Sequence, residues 1–136
     1  MRVLGIDYGT ARVGLALSDE LGILATPHGA VAYSADVHLQ IAEIVREQNV
    51  GTVVLGMPYD LKGQETDSTR RVKRFAEKLR EVLSCPVVEQ DEALSSRRAV
   101  ERMVEAGVKK SRRRQKENTD AWAAAIILQE YLDTGG

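Results

Sequence analysis

Three carboxylates stand where this 136-residue sequence can most readily do chemistry: Asp7, Glu92 and Asp120. Asp7 ends the apolar run Val3 to Ile6, and Gly9 follows two residues later, so its carboxylate projects from a strand end while the glycine lets a ligand approach the backbone. Taken alone, Asp-x-Gly reads equally well as an ordinary turn. Glu92, with Asp91 beside it, follows Val87-Val88 at a strand's carboxyl end, where open α/β sheets place their ligands. Adjacent acids there cannot both point the same way, so one is expected inward and the other at a helix start, where the macrodipole favours it. Asp120 opens an otherwise apolar helical stripe of Ala124, Ile127, Leu128 and Tyr131. A lone buried charge costs several kcal/mol, so Asp120 needs a cation or hydrogen-bond donors. Asn118 and Thr119 are better placed to cap that helix.

If the three acids converge, they repel and raise one another's pKa unless a divalent cation neutralises them. Oxygen-only ligands favour Mg²⁺ or Mn²⁺, and His28 and His38 lack zinc-site spacing and read as structural. Carboxylate-held metal pairs about 4 Å apart activate water and stabilise the leaving oxygen in phosphodiester hydrolysis. Such a site needs a grip on phosphates. Lys109, Lys110, Arg112, Arg113, Arg114 and Lys116 supply six positive charges with no acid among them, just before Asp120. A solvated charged loop is the plain reading of such a run. The loop Tyr59 to Thr66, preceded by Pro58 and containing Lys62 and Gly63, is expected either as a flap beside the site or as an ordinary surface loop.

Positioning these residues requires strands first and alternating elements afterwards. Val3 to Ile6 and Val13 to Leu17 read as a hairpin, and Ile23 to Tyr33, broken by Pro27 and Gly29, as an irregular edge strand. From Asp36, the expected cap, Val37, Ile41, Ile44 and Val45 trace a helical face ending near Asn49. Thr52 to Leu55 is a buried strand. Asp67 is expected to cap a helix with Val72, Phe75, Ala76, Leu79, Val82 and Leu83 inward, stopped by Cys85-Pro86. The strand Val87-Val88 leads to a helix with Ala99, Val100, Met103 and Val104 on its face and Gly107 at its end. A last helix runs from about Thr119 to Leu132. The implied architecture is α/β, a mixed five-stranded sheet flanked by helices: three antiparallel strands, then strand and helix in alternation.

Composition agrees with one domain over residues 1–136, since 43% hydrophobic and 29% charged residues match a globular chain with a core. A net charge of −1 argues against a protein that coats nucleic acid with a uniformly basic surface. The single cysteine, Cys85, excludes an internal disulfide and a Cys-rich zinc site and fits a reducing compartment. Ala121 to Leu128 falls far short of the roughly 20 apolar residues a membrane helix needs. The sequence opens with no secretory-signal pattern, so a cytoplasmic location without membrane contact is expected.

Together these residues resemble the YqgF/RuvX family of bacterial proteins, with an RNase H-like fold related to Holliday-junction resolvases. The resemblance spans nearly the whole chain. It is carried by Gly5-Ile6-Asp7-Tyr8-Gly9-Thr10-Ala11-Arg12-Val13-Gly14-Leu15-Ala16, the loop Gly56-Met57-Pro58 through Gly63, Asp91-Glu92-Ala93-Leu94-Ser95-Ser96, and Lys116 to Asp120 with the Ala-rich helix after it. It implies that Asp7, Glu92 and Asp120 are metal-binding catalytic acids, and that Arg12 joins the basic segment in contacting nucleic acid. The implied activity is a nuclease processing the 5′ end of precursor 16S rRNA, or alternatively cleaving branched DNA, possible as a monomer or a homodimer. One departure stands out: the family usually has arginine where this chain has Ala93, and Arg97 or Arg98 could substitute.

Two other classes compete. Asp7-Tyr8-Gly9-Thr10 resembles the phosphate-binding hairpin of actin-like and sugar-kinase ATPases, but those close two such domains around a nucleotide. A non-catalytic RNA-binding assembly factor would keep the basic segment and use the acids structurally.

Overall fold

The computed structural model describes residues 1–92, 101, 103–105, 107 and 116–134, with the side chains of 116–119 not described. Its elements are β1 (Arg2–Tyr8), β2 (Arg12–Ser18), β3 (Ala25–Ala32), α1 (Val37–Glu47), β4 (Val50–Met57), α2 (Asp67–Val82), β5 (Val87–Asp91) and α3 (Lys116–Asp133). The strands form one five-stranded sheet in the order β3-β2-β1-β4-β5. β1, β2 and β3 pair antiparallel, while β4 lies parallel to both β1 and β5. The expected mixed sheet is therefore present, and α1 and α2 supply the crossovers that parallel pairing demands. At the β3 edge the register shifts opposite Gly14 and Ala16, where Gly29 takes φ +75°, an irregularity suited to an edge carrying Pro27.

Period-two alternation divides the sheet into two faces. Leu4, Ile6, Val13, Leu15, Val53, Leu55 and Met57 pack against Ile41 of α1 and Val72, Phe75 and Leu79 of α2. Ala16 and Val54 lie on the other face, against Trp122, Ala124, Ala125 and Leu128 of α3. Buried Gln129 fastens α3 to the start of β3. Its amide oxygen accepts from the Ala25 N–H at 2.9 Å and its Nε2 donates to the Ile23 carbonyl at 2.9 Å, so a polar group inside the core is satisfied and the helix cannot slide.

Helix starts differ from expectation. Asp36 precedes α1 but makes no side-chain cap bond. α2 is capped by Thr66 instead of Asp67: the Thr66 hydroxyl accepts from the Thr69 N–H, and Thr69 Oγ1 accepts from the Thr66 N–H. Asp67 falls in the first turn, paired with Arg70. α3 begins at Lys116, so Asn118 and Thr119 are inside the helix and cannot cap it, and Lys116 is helical. Val82 and Val104, expected inward, are 38% and 41% exposed, whereas Met103 is fully buried. Gly107 takes φ +90° and its N–H bonds to the Val104 carbonyl, as a helix-ending glycine should. Ala99 and Val100 lie outside the described residues. Among the described residues, no helix is long and apolar enough to cross a membrane.

Candidate active site

The site is built on the α3 face of the sheet at the carboxyl ends of β1 and β5. Alternation in β1 sends Leu4 and Ile6 toward α1 and α2, and therefore Asp7 toward α3. β5 pairs Gln90 with Gly56 and Asp91 with Met57, so Glu92, next beyond the strand, returns to the α3 side. Its Oε2 lies 2.9 Å from where a Cβ on Gly56 would stand, so the missing side chain leaves the carboxyl its space. The expected division of the adjacent acids holds for Glu92, which points inward. Asp91 takes the register position of the opposite face.

Asp120 reaches this patch because α3 lies unusually close to the sheet. A Cβ on Gly5 would come 2.7 Å from Leu128 Cβ, and one on Gly14 would overlap the Asp120 backbone oxygen. Gly14 is the antiparallel partner of Asp7, so the closest approach of helix to sheet falls beside the first acid. Asp120 Oδ2 then accepts a 3.0 Å hydrogen bond from Arg12 Nε, an ion pair with side chains 24% and 32% exposed for Arg12 and Asp120. This meets the requirement that a charge on an apolar stripe find a cation. Arg12, read from sequence as a nucleic-acid contact, thus spends one of its five N–H donors on Asp120.

Electrostatics couple the acids. Burial raises the Asp7 pKa, the Asp120 charge raises it further, and a hydrogen bond from Glu92 works the other way. Glu92 is pushed up to about 7 by burial first, then by the Asp7 charge, the hydrogen bond to Asp7 and the Asp91 charge. The two carboxyls thus favour sharing one proton, and Glu92 gives it up only as pH rises through about 7. Among the described residues, no three His, Cys, Asp or Glu side chains form a ready-made metal cage. The three acids share one patch, with Asp7 and Glu92 in contact and Asp120 drawn to Arg12.

Folding is linked to that proton. Because the native Glu92 pKa lies above its unfolded value near 4.5, the folded state binds the extra proton between roughly pH 4.5 and 7. Stability in chelator is thus expected to be greatest below that window and to fall as pH rises through it, with Asp7 adding the same sign. Urea midpoints at pH 5.5 and 8 should differ in the native chain and converge in Glu92→Gln. An undiminished difference in that variant would assign the pH dependence elsewhere.

The loop after β4 is internally braced. Asp60 Oδ1 accepts from the N–H groups of Lys62 and Gln64, and Gly63, at φ +78°, donates its N–H to the Asp60 carbonyl. Pro58, Lys62 and Gly63 therefore belong to a formed turn that starts where Met57 pairs with Asp91, one residue from Glu92. Lys109, Lys110, Arg112, Arg113 and Arg114 lie outside the described residues, as do Ala93, Arg97 and Arg98.

The family model described as "RuvX: Holliday junction resolvase" matches residues 1–134. The chain belongs to the RuvX family. Curated relatives run nearly end to end with it. One from Maridesulfovibrio salexigens is 40% identical over 97% of this chain and 98% of its own length, and one from Anaeromyxobacter sp. (strain Fw109-5) is 43% identical over 98% and 97%. Both carry the name "Putative pre-16S rRNA nuclease". RuvX membership places the chain among nucleases, hydrolases of phosphodiester bonds. Among solved structures, T. thermophilus RuvC in complex with a Holliday junction substrate matches with a TM-score of 0.65 at 20% identity, covering 99% of this chain and 95% of that one. The fowlpox virus Holliday junction resolvase matches at 0.60 and 11%, covering 98% and 99%. At such identities the likeness concerns the fold, which is the expected RNase H-like one.

Proposed function

We propose that this RuvX chain is a metal-dependent endonuclease of one RNase H-like domain, acting in the cytoplasm to trim the 5′ end of precursor 16S rRNA. The observation that carries this reading is that Asp7 and Glu92 touch on one sheet face while Asp120, paired with Arg12, lies near enough for its charge to act on Asp7, the three coming from distant segments. Their donor set is entirely carboxylate oxygen, which suits Mg²⁺ or Mn²⁺. Asp7, Glu92 and Asp120 would hold the cations, a pair being the economical number for three acids, and bound metal would activate water and stabilise the leaving oxygen. The chain's own residues do the positioning. Arg12 orients Asp120, Gly5 and Gly14 let α3 seat it, and Gly56 leaves the space that the Glu92 carboxyl occupies beside Asp7.

The segment Lys109 to Lys116 fits as the phosphate grip, and the turn holding Pro58, Lys62 and Gly63 as the flap at the site's rim. Neutralising Arg112, Arg113 and Arg114 together should weaken RNA binding and reduce the slope of log affinity against log salt by about 2, roughly 0.7 for each phosphate no longer neutralised. An unchanged slope in a fluorescence-anisotropy titration would mean that other residues grip the phosphates.

The family description favours a second reading, resolution of branched DNA, which needs two matched cuts and hence a homodimer. Parallel assays decide. A precursor rRNA fragment with its 5′ extension and a four-way DNA junction are each incubated with Mg²⁺ or Mn²⁺. Cleavage of the RNA that stops with chelator is expected. Cleavage of the junction alone would give the resolvase reading, and cleavage of neither the assembly-factor one.

A further inference from the structure

On the face of the sheet away from the acids, α2 presents Arg71, Arg74 and Lys78 at i, i+3 and i+7 along one side of the helix. No ion pair joins any of the three to a described residue, although their neighbours Arg70 and Lys73 are paired with Asp67 and Glu65. Like charges at this spacing repel, so the stripe is a positive focus awaiting an anion. It is also more than a solvated helix face, because the three cations line a cleft of about 400 Å³ shared with Tyr8, Tyr33 and His38. That volume lies within the usual range for small-ligand sites.

The cleft offers more than charge. Tyr8 stacks on Phe75 with centroids 4.3 Å apart, and Tyr33 meets Tyr8 edge to face at 6.0 Å. Tyr33 is 45% exposed, an aromatic ring fixed by its neighbour yet open to solvent. His38 Nδ1 is buried and has no hydrogen-bond partner among the described residues. Position adds the link to the active site. Tyr8 follows Asp7 directly and points to the opposite face, so the cleft opens around the same strand end that carries the acid.

We propose that this cleft is a second nucleic-acid contact, in which a single-stranded flank of the substrate lays phosphates on Arg71, Arg74 and Lys78 and a base against Tyr33. The inference rests on the nuclease reading only for the identity of the strand. A strand leaving the acids over the end of β1 would enter the cleft, which would hold the substrate in register for cleavage. Cationic grooves with an exposed aromatic ring bind single strands in this way.

The full chain carrying Asp7→Asn, so that nothing is cut, is titrated by fluorescence anisotropy with a labelled single-stranded RNA of about 12 nucleotides. Arg71→Gln with Arg74→Gln should weaken binding several-fold and lower the salt slope by about 1.4, two phosphates at roughly 0.7 each. Tyr33→Ala should weaken binding at least about 5-fold, the lower bound for one stacked base, with the slope unchanged, while Tyr33→Phe binds normally. Thermal melts verify that each variant is folded. Unchanged affinity and slope in the double arginine variant would overturn the proposal, as would a chain that binds no single strand. Adenosine monophosphate is titrated alongside: Tyr33-dependent binding of it, without Tyr33-dependent binding of the RNA, would make the ligand a free nucleotide and overturn the strand proposal. Metal-dependent cleavage by the chain with Asp7 intact is scored separately, so loss of the nuclease reading and loss of the cleft reading are distinguishable.

Discussion

Asp7→Asn is expected to yield a folded protein whose metal-dependent cleavage is about 10²- to 10³-fold slower, with nucleic-acid binding retained. Asp7 is the middle of the acid patch, hydrogen-bonded to Glu92 and raised by the charge of Asp120. The substitution keeps the shape and removes the negative charge that would attract the cations. Losing about 3–4 kcal/mol of metal-derived transition-state stabilisation, at 1.36 kcal/mol per tenfold, gives that range. Stability should move the other way. The Asp7 charge and its hydrogen bond are two of the causes raising Glu92, and both weaken in the variant, so less repulsion remains to be forced into the fold at pH 8. Melting in chelator should therefore be unchanged or higher, whereas a merely structural aspartate would lose stability and activity together. Cleavage at the native rate would remove Asp7 from the mechanism.

How far this patch is visible in the sequence differs from acid to acid. Asp7 and Glu92 follow from strand ends, because apolar alternation in Leu4 and Ile6 and the β-branched run before Gly56 define strands whose termini are fixed within a residue or two. The sheet order follows from the same pattern plus the need of parallel strands for crossover helices. Helix starts are less visible, since a cap depends on which oxygen reaches which N–H. Thr66 wins over Asp67 because Thr69 can reciprocate, a pairing that either residue alone does not announce. The Arg12 to Asp120 ion pair is the least accessible feature, its partners being 108 residues apart. A signal for it does exist. Gly5, Gly14, Ala16 and Gly56 alternate onto one face, and Ala121, Ala124 and Ala125 answer them from α3. Small residues on both sides mean a close helix, and a close helix brings residue 120 to the strand ends. Arg71 and Arg74 stand in the sequence only as charged residues beside the apolar positions of α2, and the cleft with Tyr33 gives them a site.

The close packing of α3 makes Gly14→Ala the second large effect, a loss of roughly 3 kcal/mol, at the top of the usual cost of overpacking. The added methyl would overlap the backbone oxygen of Asp120, and a helical backbone cannot rotate aside as a side-chain tip can. Gln129 anchors the far part of α3 to Ile23 and Ala25, so the helix must tilt at the Asp120 end instead of sliding. That tilt pulls Asp120 away from Arg12 and from Asp7, so the folded fraction should also lose cleavage. For a chain of this length the melting temperature should drop by about 10 °C. Gly63→Ala gives the contrast. Its Cβ would meet nothing within 4 Å, and the cost is only the left-handed backbone at φ +78°, about 1 kcal/mol, with the acids undisturbed. If Gly14→Ala melts within a degree or two of the native chain and cleaves normally, α3 does not rest on β2 as closely as this site requires, and the seating of Asp120 needs another explanation.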